Sequence, residues 1–228
     1  MIGNIELSMI YQFYQQHIFP HVLNQVMQIP SLMDQRRELL LPVSGQVLEI
    51  GFGTGINLPF YQNIETLYAL EPSAEIYQLA AQRVHESALQ LQHVQARAEK
   101  LPFADASFDH IVSTWTLCSV DHLALALNEL HRVLKPNGIL HVVEHVEYQD
   151  NLALHYLQNI MTPIHKRLAD GCHLNRDIEQ ALLQANFSFQ EQHYFDATGI
   201  PKLAQRMFFA RAQKRTILSA IKSSTVTQ

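Results

Sequence analysis

The 228-residue chain holds two cysteines, one tryptophan and only 16% charged residues, and each scarcity excludes a class of protein. Cys118 and Cys172 cannot build a disulfide framework, and no C-x-x-C or similar spacing points to a metal site. The formal net charge is −5 and the basic residues are scattered, so the electrostatic footprint of a nucleic-acid binder is missing. No apolar run approaches the ~20 residues a membrane span needs, and "MIGNIELSMIYQFYQQ" lacks a basic leader region. The expectation is a soluble, cytoplasmic protein with no nucleic-acid partner and no integral membrane association.

What the chain does have is 47% hydrophobic residues, enough to fill the core of one sizeable domain. Its thirteen histidines leave the net charge sensitive to mild acid.

Met9, Ile10, Phe13, Tyr14 and Ile18 stand at helical spacing, and Val22, Leu23, Val26 and Met27 do so again after Pro20. The pattern predicts two short amphipathic helices, a lid over residues 1–41. The main domain follows over 42–215, and 216–228, ending in "KSSTVTQ", reads as a loose tail.

From residue 46 the pattern becomes strand-like runs separated by helix-like segments: "QVLEI", "TLYALE", "LQHVQAR", "FDHIVSTW" and "GILHVVEHV". Such alternation predicts an α/β fold, a mostly parallel sheet with helices on both faces. Asp121 is placed as the N-cap of a helix carrying Leu123, Leu127, Leu130 and Leu134, which "KPNG" ends. Beyond it come a helix of about twenty residues, the turn "ADGCHLN", a helix over 176–185, and the strand-like "FSFQEQHYF" and "KLAQRMFFARAQ".

The first run leads into "GFGTG". Glycines at 51, 53 and 55 allow a sharp turn after a strand and a close approach of backbone to ligand. A dinucleotide fingerprint needs glycine or alanine at position 56, where Ile56 stands, and no Gly-Lys-Ser/Thr triplet supports a P-loop. Glu71 ends the second run, where a nucleoside-binding sheet presents a carboxylate to ribose hydroxyls.

With those residues in order, "VLEIGFGTGINLPFY", "ALEPS", "AEKLPFADASFDHIVS" and "ELHRVLKPNGIL" resemble the class I S-adenosylmethionine-dependent methyltransferases of the methyltransferase type 11 group. The resemblance implies a Rossmann-like seven-stranded sheet whose last strand is antiparallel, with S-adenosyl-L-methionine across the carboxyl ends of the strands. By position, the loop from Glu49 through Gly51, Gly53 and Gly55, with Asn57, would bracket the methionine part of the cofactor. Glu71 would bind the ribose, Ala98 and Glu99 would border the adenine, and Thr114 would lie near the sulfonium. Tyr14 on the lid is placed as a contact to the methionine end. Many members carry Asp immediately before the Ala-Glu pair, and this chain carries Arg97. "LCSV", "EHV" and "DGCHLNR" look like the thiol S-methyltransferase branch, although the hydrophobic N-terminal anchor of its animal members is not seen.

Methyl transfer is an in-line displacement that can rest largely on alignment and water exclusion, with a base useful where the acceptor must lose a proton. His145 in "VVEHVEY" and Asp170 in "ADGC" are the candidate bases, each with a plainer reading as strand-end imidazole or turn residue. Trp115 is a candidate wall of the acceptor pocket, and Cys118 reads as a small buried residue. The function expected is methyl transfer to a small, rather apolar acceptor: a thiol first, a hydroxyl or quinone carbon next. The alternative is a cofactor-binding module that no longer catalyses and serves as a partner or sensor subunit, motivated by Arg97.

Overall fold

A computed structural model describes residues 11–215; the first ten residues of the expected lid and the expected tail, 216–228, lie outside the described residues. Seven strands form one sheet: β1 (Ser44–Ile50), β2 (Asn63–Leu70), β3 (Leu91–Val94), β4 (Phe108–Thr114), β5 (Leu134–His145), β6 (Phe187–Asp196) and β7 (Arg206–Lys214). Their order is β3-β2-β1-β4-β5-β7-β6, and β7 alone runs antiparallel to its neighbours, as expected of the last strand. The order reverses between β1 and β4, where an open α/β sheet opens a crevice beyond the carboxyl ends of its strands.

The helices are α1 (Phe19–Val26), α2 (Pro30–Leu40), α3 (Ala74–Gln78), α4 (Ala81–Glu86), α5 (Leu123–Val133), α6 (Leu152–Leu168) and α7 (Ile178–Gln184). They cover both faces. Leu39 and Leu40 of α2 pack with Val47, Leu67, Val112, Val143 and Phe209 on one side of the sheet. Leu127 and Leu130 of α5 and Ile178 and Leu182 of α7 pack with Leu48, Ile111, Leu140 and Phe208 on the other. Strands with apolar side chains on both faces read as continuous hydrophobic runs, which is why β1 and β5 were legible. Each fully buried leucine stabilises the fold by roughly 1.5–3 kcal/mol.

Several local expectations are corrected. Pro20 does not separate two helices: a π-helical turn over Tyr14–Ile18 runs into α1, and Pro20 sits in the first turn, where a missing N–H costs no hydrogen bond. The break comes at residues 27–29, and α2 begins on Pro30. The N-cap of α5 is His122 rather than Asp121, whose carboxylate pairs instead with Arg97. "KPNG" belongs to the irregular start of β5, with a register shift opposite Phe108 and His110. Residues 95–107, between β3 and β4, contain no helix. "KLA" forms a short 3-10 turn, Lys202–Ala204, ahead of β7.

Candidate functional site

Beyond the carboxyl ends of β1, β2, β4 and β5 lies a cavity of about 910 Å³. Its boundary is mostly apolar, from Leu23, Val26, Trp115, Val120, Ile164 and Met207, with a few polar groups among them. This is the composition of a small-molecule site, where apolar walls exclude water and sparse polar groups fix orientation.

The glycine loop forms one end. Gly51, Gly53 and Gly55 all have positive φ. A Cβ on Gly51 would lie 2.1 Å from Thr116 Oγ1, so this glycine lets two loops pack together. A Cβ on Gly53 would meet nothing nearer than 3.7 Å, so this glycine leaves space on the cavity side. The backbone N–H of Gly53 donates to Glu71 Oε2 at 2.9 Å, and that of Ser73 donates to Glu71 Oε1 at 3.0 Å. Burial raises the Glu71 carboxyl above its ordinary range, against the lowering effect of these two N–H groups, and nearby Asp170 raises it further. Among the described residues each carboxylate oxygen accepts one of these bonds, leaving it capacity for another, and Glu71 lines the cavity.

Beside the loop is a second cavity of about 70 Å³, lined by Arg36, Glu49, Asn57, Thr114 and Trp115 among others. Asn57 Nδ2 donates to Glu49 Oε1 (2.9 Å) and to Thr114 Oγ1 (3.1 Å), and the Tyr61 hydroxyl donates to Glu49 Oε2 (2.7 Å). Burial pushes the Glu49 carboxyl up to about 7, opposed by Tyr61, Asn57 and the Arg36 charge. Burial likewise lowers Arg36 to about 10, and its guanidinium lies 4.4 Å from the centre of the Trp115 ring. The buried Oδ1 of Asn57 has no hydrogen-bond partner among the described residues. A buried orphan acceptor beside a carboxylate suits an ammonium group.

Of the residues expected at the cofactor, Tyr14, Gly51, Gly53, Glu71, Ala98 and Glu99 line the large cavity, whereas Glu49, Asn57 and Thr114 line the small one. Gly55 lines neither; a Cβ there would crowd Leu58 and Phe52 at 3.1 Å. The Tyr14 hydroxyl donates to the Leu168 carbonyl at 2.8 Å, tying the lid to the end of α6. Glu99 Oε1 accepts from the His122 backbone N–H at 3.1 Å.

Both expected bases line the large cavity, His145 at the end of β5 and Asp170 close to Glu71 and Arg97. His145, at the end of β5, is 3% exposed; its Nε2 lies 3.4 Å from the Leu203 carbonyl, which can only accept, so Nδ1 is left with its lone pair. Asp170 adopts φ +43° and Trp115 φ +54°, so two of the four non-glycine residues with positive φ among the described residues line this cavity. Such strain persists where surrounding structure over-determines it, and it gathers at functional sites. Burial raises the Asp170 carboxyl, partly offset by Arg97.

Two positioning residues escaped sequence reasoning. Glu144, fully buried, accepts from Ser113 Oγ (2.6 Å) and from the backbone N–H groups of Thr116 (3.0 Å), Leu117 (2.9 Å) and Cys118 (3.1 Å). Arg176 donates to the carbonyls of Leu117 and Val120, both at 2.6 Å. One side chain therefore satisfies the donors of the loop after β4, and the other its acceptors. The only available signal was Glu144 as an ionisable residue within an apolar strand, which burial makes costly unless several donors meet it.

Residues 48–142 match the family described as "Methyltransferase domain". The chain is 36% identical over 146 residues to a thiol S-methyltransferase of Rattus norvegicus, a match covering 62% of this chain and 59% of that relative's length. It is 33% identical over 169 residues to thiol S-methyltransferase TMT1B of Homo sapiens, covering 69% of each. In fold it is similar to an S-adenosylmethionine-dependent methyltransferase of Mesorhizobium loti, with a TM-score of 0.59 at 18% identity over 81% of this chain and 98% of the other. A reversed-order sheet, a glycine loop cradled by Glu71 and these similarities converge: the chain belongs to the class I S-adenosylmethionine-dependent methyltransferases, in the type 11 group.

Proposed function

We propose that the protein transfers a methyl group to the sulfur of a small, apolar thiol in a reducing cytoplasm. The observation that carries this reading is one cavity with the Glu71 carboxylate at one end and the His145 imidazole at the other, walled by apolar side chains between. That two relatives are thiol S-methyltransferases supports a thiol over a hydroxyl or quinone carbon.

Bound S-adenosylmethionine supplies an electrophilic methyl on a sulfonium. Glu71 would accept from the ribose hydroxyls, Ala98 and Glu99 would border the base, and Glu49 and Asn57 Oδ1 would receive the ammonium. Thr114 and Tyr61 hold that pair in place through the hydrogen bonds described above. Trp115 and the lid exclude water, so a thiolate is poorly solvated and nucleophilic where it forms. His145 Nδ1 takes the proton of the acceptor thiol. Asp170, with its raised carboxyl, is the second base lining the cavity.

Arg97, which motivated the non-catalytic alternative, forms an ion pair with Asp121, and both residues line the cavity. The test is a methyl-transfer assay over thiols, phenols, amines and quinones, combined with calorimetric titration of the cofactor. Thiols are expected to give product, and His145→Ala to lower turnover by roughly 10²-fold or more with cofactor affinity within about twofold. Cofactor binding without thiol methylation would overturn the acceptor; no cofactor binding at micromolar concentrations would overturn the whole reading.

A further inference from the structure

The two cysteines stand 54 residues apart in sequence, one after β4 and one after α6, yet their Sγ atoms are 3.4 Å apart. Both line the large cavity. The approach is built rather than incidental. The backbone N–H of His173 donates to the Cys118 carbonyl at 2.9 Å, and Gly171 approaches so closely that a Cβ there would lie 2.9 Å from the Ser119 carbonyl oxygen. The clamp of Glu144 and Arg176 fixes the Cys118 side of the contact.

The two thiols are not equivalent. Cys118 is buried and Cys172 is half-buried. Cys172 Sγ lies 4.0 Å from His145 Nδ1, the nitrogen left with a lone pair, and the His165 ring nitrogen donates to the Cys172 carbonyl at 3.0 Å. The contact with Cys118, followed by the His145 and His165 rings, holds the Cys172 thiol well below its ordinary range. Cys118 is pushed well above that range by the same contact, by burial and by the Glu144 charge. Arg176 adds positive charge beside both.

We propose that Cys172 and Cys118 form a redox-active dithiol that reduces small organic disulfides entering the cavity, Cys172 attacking and Cys118 resolving. The Cys172 thiolate attacks one sulfur of R–S–S–R, forming a Cys172–S–S–R bond and releasing one thiolate, which takes up the proton that Cys172 gave up. Cys118 then attacks the Cys172 sulfur, forming the Cys118–Cys172 bond and expelling the second thiolate, which takes up the proton lost by Cys118. Two electrons pass from the dithiol to the disulfide, and two R–SH leave. A bonded sulfur pair is about 2.0 Å apart, so closure needs a shift of only about 1.4 Å between the sulfurs. An external small dithiol restores the reduced pair. This activity does not depend on which acceptor the protein methylates.

The test uses the fully reduced, full-length protein mixed with cystamine, quenched with acid at intervals, alkylated, digested and read by mass spectrometry. The wild type is expected to lose two hydrogens and to yield one cross-linked peptide pair joining Cys118 to Cys172, reversed by dithiothreitol. Cys118→Ser is expected to retain a stable cysteamine adduct on Cys172. In Cys172→Ser, Cys118 is expected to react at least roughly tenfold more slowly than Cys172 does in the wild type. The wild-type map decides the matter even where a variant does not fold. Adducts on the native wild type without a cross-link, or a Cys172 reaction no faster than in urea-unfolded protein, would overturn the proposal.

Discussion

Gly51 and Gly53 share a loop and a positive φ, but a methyl group added to each meets different surroundings. Gly51→Ala drives its Cβ into Thr116, so a marked fall in melting temperature is expected, accompanied by weak cofactor binding that follows from the loss of fold. Gly53→Ala costs about 1–2 kcal/mol for the left-handed backbone. Its added methyl faces open space in the cavity, so cofactor affinity should fall at least about tenfold in a chain that remains folded. Thermal melts alongside calorimetric titration distinguish the two, and equal losses of both properties would contradict the assignment.

Glu49 offers a second test at this scale. Its carboxyl titrates at about 7 in the folded protein against an ordinary 4.5, so the folded state holds a proton that the unfolded chain releases between those values. Its contribution to stability is fully present below about pH 4.5 and is lost as pH rises through about 7. Relative to Glu49→Gln, the wild type should lose on the order of 2–3 kcal/mol between pH 5 and pH 7.5 by urea unfolding. Cofactor affinity should run the other way, rising toward neutrality as the carboxylate proposed to receive the ammonium forms.

Among the elements, the loop after β4 is the most heavily tied. Arg176→Lys keeps the charge but cannot reproduce a planar fork reaching two carbonyls. A stability loss of about 1–3 kcal/mol is expected, with a fall in turnover larger than any change in cofactor affinity, since Glu71 and Gly53 lie on other elements. Urea unfolding and steady-state kinetics on the purified variant check both. The clamp could not be read from the sequence, because Glu144 and Arg176 reach the loop from a neighbouring strand and from a turn more than fifty residues away. "EHV" and "DGCHLNR" stood out only as resemblance. Strand β3 and the helix-free segment before β4 show the opposite limit: periodicity located the strand but could not reveal that 95–107 crosses the sheet edge without a helix.

For the molecule as a whole, the sheet was legible because buried parallel strands have to be apolar on both faces, and because a glycine loop and an acid eighteen residues apart mark the switch point. Helix junctions are less legible: Pro20 reads as a break in the sequence, and a π turn carries the chain past it. The cavity itself was the least legible part. Trp115, Cys172, His145 and Met207 meet only once α6 and the β6–β7 hairpin are folded against the sheet.

Its two ends are drawn from different stretches of chain. Glycine loop, Glu71, Ala98 and Glu99 all fall within residues 49–99, whereas much of the opposite wall comes from the lid, α6 and the turn that follows it. The loop after β4 belongs to both, as do Leu23 and Met27 of the lid, and the loop is held from outside by Glu144 and Arg176. A swap of residues 148–175 between relatives would thus exchange much of the acceptor wall, whereas the lid, whose Leu23, Met27 and Arg36 line the small cavity beside Glu49, has to stay with the donor cradle. The architecture is divisible along that line, and chimeras cut there, with the clamp retained, are the natural route to new acceptors.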